Sequence, residues 1–165
     1  MKKLIILSLA AIFSTNQAFA VATTGTSNVK VFQTLSIAAN TALEFGNIAT
    51  TGTEGSVVLT AAASTTPTAT NVTLVSGTTR TAGKFIVTGE TGATYTISLP
   101  SSITLAGSGS ATGQTMTVDT FTSSPSTTGT LAAGDNNLFI GAKLTVAAAQ
   151  VPGPYSGTYN VTVNY

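Results

Sequence analysis

TYNVTVNY, residues 158–165, alternates without interruption. Tyr159, Val161, Val163 and Tyr165 are apolar, and Thr158, Asn160, Thr162 and Asn164 between them are polar. Successive side chains of an extended chain point to opposite faces. The four large residues therefore share one face, as in a strand with a core on one side and water on the other. The same rhythm recurs upstream, where Tyr95, Ile97 and Leu99 alternate with Thr94, Thr96 and Ser98. Phe85 and Val87 flank Ile86, which suits a segment buried on both sides. Val29, Val31, Leu35 and Ile37 form a looser row that Gln33 breaks.

From this rhythm, strands are expected near Val29–Ala38, Leu43–Ile48, Ser56–Ala61, Asn71–Val75, Gly83–Thr88, Thr94–Leu99, Gln114–Thr122, Asn137–Val146 and Tyr155–Tyr165. Gly, Pro, Ser and Asn clusters mark turns between them, at Gly89–Gly92, Gly107–Gly113, Ser123–Gly129 and Pro152–Pro154 among others, and Ser64–Thr70 reads as a loop. Past residue 20, helical periodicity is nearly absent. The expected fold is all-β: an immunoglobulin-like β-sandwich of about nine short strands. A transmembrane barrel would need at least about eight strands of about ten residues with aromatic girdles. These candidate strands are mostly shorter, and aromatics are few.

Residues 1–20 read as a secretory signal peptide. Lys2 and Lys3 supply the positive start, and Leu4–Phe13 is an apolar run. It is about half as long as the ~20 residues a bilayer requires. Ala18-Phe19-Ala20 is a small-x-small cleavage site. The expected organisation is thus a removed leader, 1–20, and a single domain, 21–165, in the periplasm, at the cell surface or outside the cell. No later stretch is long enough for a membrane helix. The chain has no cysteine, so packing and sheet hydrogen bonds must hold the domain without disulfides.

Charge is sparse. Lys30, Arg80, Lys84 and Lys143 stand against Glu44, Glu54, Glu90, Asp119 and Asp135 beyond the leader. No basic stripe exists for phosphates, so nucleic acid is not an expected partner. A surface of Thr, Ser, Asn and Gly has little self-repulsion and suits a protein that sits beside its own copies.

Catalysis needs titratable groups set close together, and the chain has neither His nor Cys. Ser27-Asn28-Val29-Lys30 matches Ser-x-x-Lys, but the Ser-Asp-Asn and Lys-Thr-Gly motifs that accompany it in acyl-enzymes are missing. On an extended chain, Ser27 and Lys30 also face opposite ways. The five acids are scattered, and Gly134-Asp135-Asn136-Asn137 lacks the spaced ligands and distal Glu of a calcium loop. Asn71-Val72-Thr73 and Asn160-Val161-Thr162 match the glycosylation tripeptide, but within expected strands. No catalytic, metal or cofactor residue is expected.

Three stretches carry a family resemblance: Leu43-Glu44-Phe45-Gly46, Tyr95-Thr96-Ile97-Ser98-Leu99-Pro100, and the closing QVPGPYSGTYNVTVNY of residues 150–165. Their order resembles the secreted bacterial family named domain of unknown function 4402, and more loosely spore coat protein U-like domains and chaperone–usher pilins. The resemblance implies an exported sandwich. For the pilin-like relatives it implies assembly by strand donation, in which a neighbour's strand completes an open sandwich. Gly153 and Tyr165 keep the pilin spacing of a Gly twelve residues before a near-terminal Tyr. Val21–Asn28 is short and polar for a donor, and the pilin cysteine pair is missing. Either Val29–Ile37 donates or the domain is self-complete.

Two functional classes follow. The first is a non-enzymatic structural or adhesive surface protein, fimbrial-like, with Gly153, Tyr159, Val161, Val163 and Tyr165 as its assembly strand. Its partners would be its own copies or a periplasmic chaperone, met at an exposed strand edge. The second is a self-complete secreted module binding a carbohydrate or matrix ligand.

Overall fold

The computed structural model of the chain describes residues 20–134 and 136–165. The expected leader up to Phe19, and Asp135 of the calcium-like turn, lie outside the described residues. Two units are distinguished, Met1–Val31 and Phe32–Tyr165. In the first, residues 20–31 carry neither strand nor helix, and each is exposed.

The second unit is all-β, with thirteen antiparallel strands among the described residues, numbered in chain order. The main sheet runs β1 (Ser36–Thr41), β6 (Gly83–Thr88), β11 (Asn136–Val146), β9 (Thr115–Ser124), β8 (Ser102–Gly107) and β12 (Tyr155–Ser156). Beside it, β3 (Gly55–Leu59) joins β11 and β4 (Thr68–Thr70) joins β3. The second layer comes in two pieces. One is β10 (Thr128–Thr130), β7 (Thr94–Ser98) and β13 (Thr162–Asn164); the other is β2 (Ile48–Thr50) with β5 (Val72–Leu74).

The longest strand, β11, organises both halves. Asn136–Ile140 pairs with β6, Ala142–Val146 pairs with β3, and the opposite edge pairs with β9. Its inward residues split the core accordingly. Leu138 and Ile140 pack with Val87, Tyr95 and Leu131 under the three-stranded piece. Leu144 and Val146 pack with Val57, Met116 and Val118 under the two-stranded piece. Phe121 borders both clusters. The architecture is the expected sandwich.

Several strands differ from expectation, each for a physical reason. The first begins at Ser36 rather than Val29, because the β1–β6 ladder ends at Ser36↔Thr88 and β6 then turns at Gly89. Leu43–Ile48 is mostly not a strand: Glu44 makes one isolated bridge to Thr81, and regular pairing resumes at Ile48. The expected Tyr155–Tyr165 strand is two short pieces on different layers, with 157–161 crossing between them. Ser102–Gly107 was not expected as a strand, yet it alternates, with Ile103 and Leu105 packed against the core. Thr128–Thr130 and Thr68–Thr70, expected in turn and loop, are three-residue edge strands.

Candidate functional site

The Leu43-Glu44-Phe45-Gly46 motif has a local cause. Leu43 and Phe45 turn inward onto the Met116 and Leu144 cluster. Gly46 takes φ +67°, and a side chain there would meet the Thr79 carbonyl at 2.9 Å. The loop is pinned by Arg80, whose guanidinium donates to the carbonyls of Asn47 (2.8 Å), Val75 (3.0 Å) and Thr78 (3.3 Å). Its Nε is buried without a hydrogen-bond partner among the described residues. Sequence reading assigned Arg80 no role, because a lone arginine among threonines carries no motif.

The closing QVPGPYSGTYNVTVNY can be read residue by residue. Gln150 donates from Nε2 to the Tyr155 hydroxyl (2.7 Å), which itself donates to the Val151 carbonyl (2.6 Å). The Ser110 hydroxyl donates to the Pro152 carbonyl (2.6 Å). Beside it Gly153, at φ +156°, leaves room for Ala111: a side chain there would stand 2.7 Å from the Ala111 Cβ. Tyr159 sits against Phe85 and Phe121, at centroid distances of 6.0 and 5.5 Å. Burial pushes its hydroxyl up to about 12. Burial also raises Tyr95 above its ordinary value.

Tyr159, Val161 and Val163 do share a face, packed against the Leu138 and Ile140 cluster. Tyr165 departs from the row. The residue is 49 % exposed, with its ring tilted against Phe32 at 5.5 Å. Its hydroxyl donates to the Gln33 carbonyl (2.7 Å) and accepts from the Glu90 amide (2.8 Å). Gly153 lies outside the strands, in the bend before β12.

These elements bound an open groove of about 860 Å³. One rim is the chain from Ala39 to Ile48, and the other runs from Gly153 to Tyr159. The floor is apolar: Phe85 of β6, Ile103 and Leu105 of β8, Met116 and Val118 of β9, and Leu144 of β11. Glu44 is the single charged residue among the described lining residues. Each rim continues from an edge of the main sheet, β1 or β12. Residues 157–161 belong to no strand ladder. The groove is thus a strip of sandwich core with no strand laid over it, bordered by the end of β1, by β12 and by the loops that continue from them. Of the residues expected to form an assembly strand, Gly153 and Tyr159 line the groove, while Val161, Val163 and Tyr165 do not.

Chemistry-bearing residues are not gathered in this way. Among the described residues no group of three or more acids could hold a metal ion. Ser27 and Lys30 are exposed in the first unit. The Glu90 carboxylate accepts from the Gln33 amide (3.4 Å), and Asp119 accepts from the Thr120 hydroxyl (2.6 Å). No described helix is long and apolar enough to cross a membrane.

The model of a family described as Domain of unknown function (DUF4402) matches residues 35–165. No curated protein matches the chain. Nor does any solved structure match it.

Proposed function

Because the chain belongs to the DUF4402 family, whose description assigns no activity, we propose from its own geometry that it is a non-enzymatic structural or adhesive protein. It is exported to the cell surface, fimbrial-like, and its copies associate through an uncovered strand edge. The carrying observation is the apolar groove lying between the two edge strands of the main sheet, β1 and β12. An unpaired edge beside exposed core is a template for another strand. The near-absence of charge supports the reading, since copies approach with little repulsion. The lack of His and Cys removes the commonest general base and the thiolate nucleophile.

Sedimentation velocity across a hundredfold concentration range tests this. Association that grows with concentration, with oligomers that dissociate on heating, is the expected result. A folded monomer at every concentration overturns it. That outcome would favour the self-complete binding module, which the groove volume also suits, since small-ligand sites span roughly 300–1,000 Å³.

A further inference from the structure

We propose that Phe32 and Tyr165 form a platform on which the apolar face of a neutral sugar ring stacks, while the Glu90 carboxylate beside it accepts from the sugar's hydroxyls. The site lies outside the groove and does not depend on self-association there. Phe32 and Tyr165 are 48 % and 49 % exposed, the two aromatic residues that stand exposed among those described. They are nevertheless held in place. The Tyr165 hydroxyl donates to the Gln33 carbonyl and accepts from the Glu90 amide. The Phe32 ring lies 5.5 Å from the Tyr165 ring, tilted at 56°. Gly89 leaves room for the clasp, since a side chain there would collide with the Tyr165 hydroxyl. Glu90 is fixed at both ends: its amide holds Tyr165, and its carboxylate accepts from the Gln33 amide (3.4 Å). Side chains already fixed lose little conformational freedom when a ligand settles on them.

Size and chemistry select the occupant. An aromatic residue brings about 150–250 Å² of surface, so two half-exposed ones present roughly that much together. A protein partner needs about 800 Å² on each side, and a platform this small matches a sugar ring or two instead. A quaternary ammonium is held by a cage of rings, whereas two tilted rings enclose nothing. Nucleobases stack on aromatics as well, but their phosphates need a basic groove, and the group bonded into this platform is a carboxylate. A sugar uses both features. Its C–H groups meet the negative faces of the rings, and its hydroxyls donate to a carboxylate in hydrogen bonds stronger than neutral ones.

Affinity electrophoresis of the full exported chain, through gels holding dextran, hydroxyethylcellulose or galactomannan, tests this. Retardation by at least one of the three is expected, and the same polysaccharide should shift the Phe32 and Tyr165 ring signals in NMR spectra of the unsubstituted chain. Phe32→Ala should weaken binding at least about tenfold and keep the melting temperature, because the residue is already half in solvent. Glu90→Gln keeps an acceptor but removes the charge, and should weaken binding about threefold. Val75→Ala, at a residue 40 % exposed just after β5, should change nothing. Phe32→Ala leaves the groove lining intact, so its sedimentation should match that of the unsubstituted chain, and the two readings fail separately. No retardation by any of the three polysaccharides overturns the assignment. So does retardation that Phe32→Ala leaves intact, and so do ring signals that shift with tetramethylammonium but with none of the polysaccharides.

Discussion

Tyr159 illustrates how one side chain ties the motif to stability. Its ring fills the junction of Phe85 and Phe121, and burial holds its hydroxyl protonated up to about pH 12 against an ordinary value of 10.0. The folded state therefore keeps a proton that the unfolded chain releases earlier. The resulting stabilisation is complete below pH 10 and is lost as pH rises toward 12, with the buried Tyr95 acting in the same direction. Tyr159→Phe should flatten that alkaline loss by about 1 kcal/mol once solvent screening of a half-buried group is allowed for. Urea melts of both proteins between pH 9 and 12 measure it, and identical slopes would refute it. At this scale the sequence was partly legible. The alternation of Tyr159, Val161 and Val163 correctly put them on one core face. It could not place Tyr165, whose position is set by hydrogen bonds to Gln33 and Glu90 rather than by hydrophobic rhythm.

Among the elements, β13 is short but central to its layer. Thr162–Asn164 pairs with Thr96–Ser98 of β7, while Val161 and Val163 pack onto the core beneath. Two fully buried valines would contribute roughly 3–6 kcal/mol; Val161 and Val163 are half-buried and give less, still a sizeable share of the ~5–15 kcal/mol that stabilises an ordinary domain. Deleting Asn160–Tyr165 should abolish cooperative melting by circular dichroism and sharply lower the yield of exported protein. An unchanged melting temperature would show that the strand is dispensable. Inserting one residue after Tyr159 should act similarly, because it turns Val161 and Val163 toward solvent. Strands with strict alternation or dense β-branching, such as Gly83–Thr88 and Asn136–Val146, were readable from composition and period alone. The groove was not. Its floor comes from β6, β8, β9 and β11, its rims from segments more than a hundred residues apart, and its openness goes with a crossing at 157–161 that joins no ladder although the sequence alternation runs straight through it. Local pattern carries no information about which stretch of core stays uncovered.

For the molecule as a whole, the exported reading makes a simple demand on mass. Protein recovered outside the cytoplasm should begin at Val21 by intact-mass measurement, with Ala18-Phe19-Ala20 as the cleavage site. Retention of Met1–Ala20 would remove the basis for export. The Tyr165 hydroxyl, bonded to Gln33 across 132 positions of sequence, adds a constraint in time rather than in space. Residue 33 leaves the ribosome long before residue 165 is joined to the chain. A contact of such high sequence separation forms late and slowly, so the segment leading into β1 must wait for its distant counterpart. A variant without the Tyr165 hydroxyl should therefore leave the Gln33 carbonyl and the Glu90 amide unclasped and be cut faster by protease.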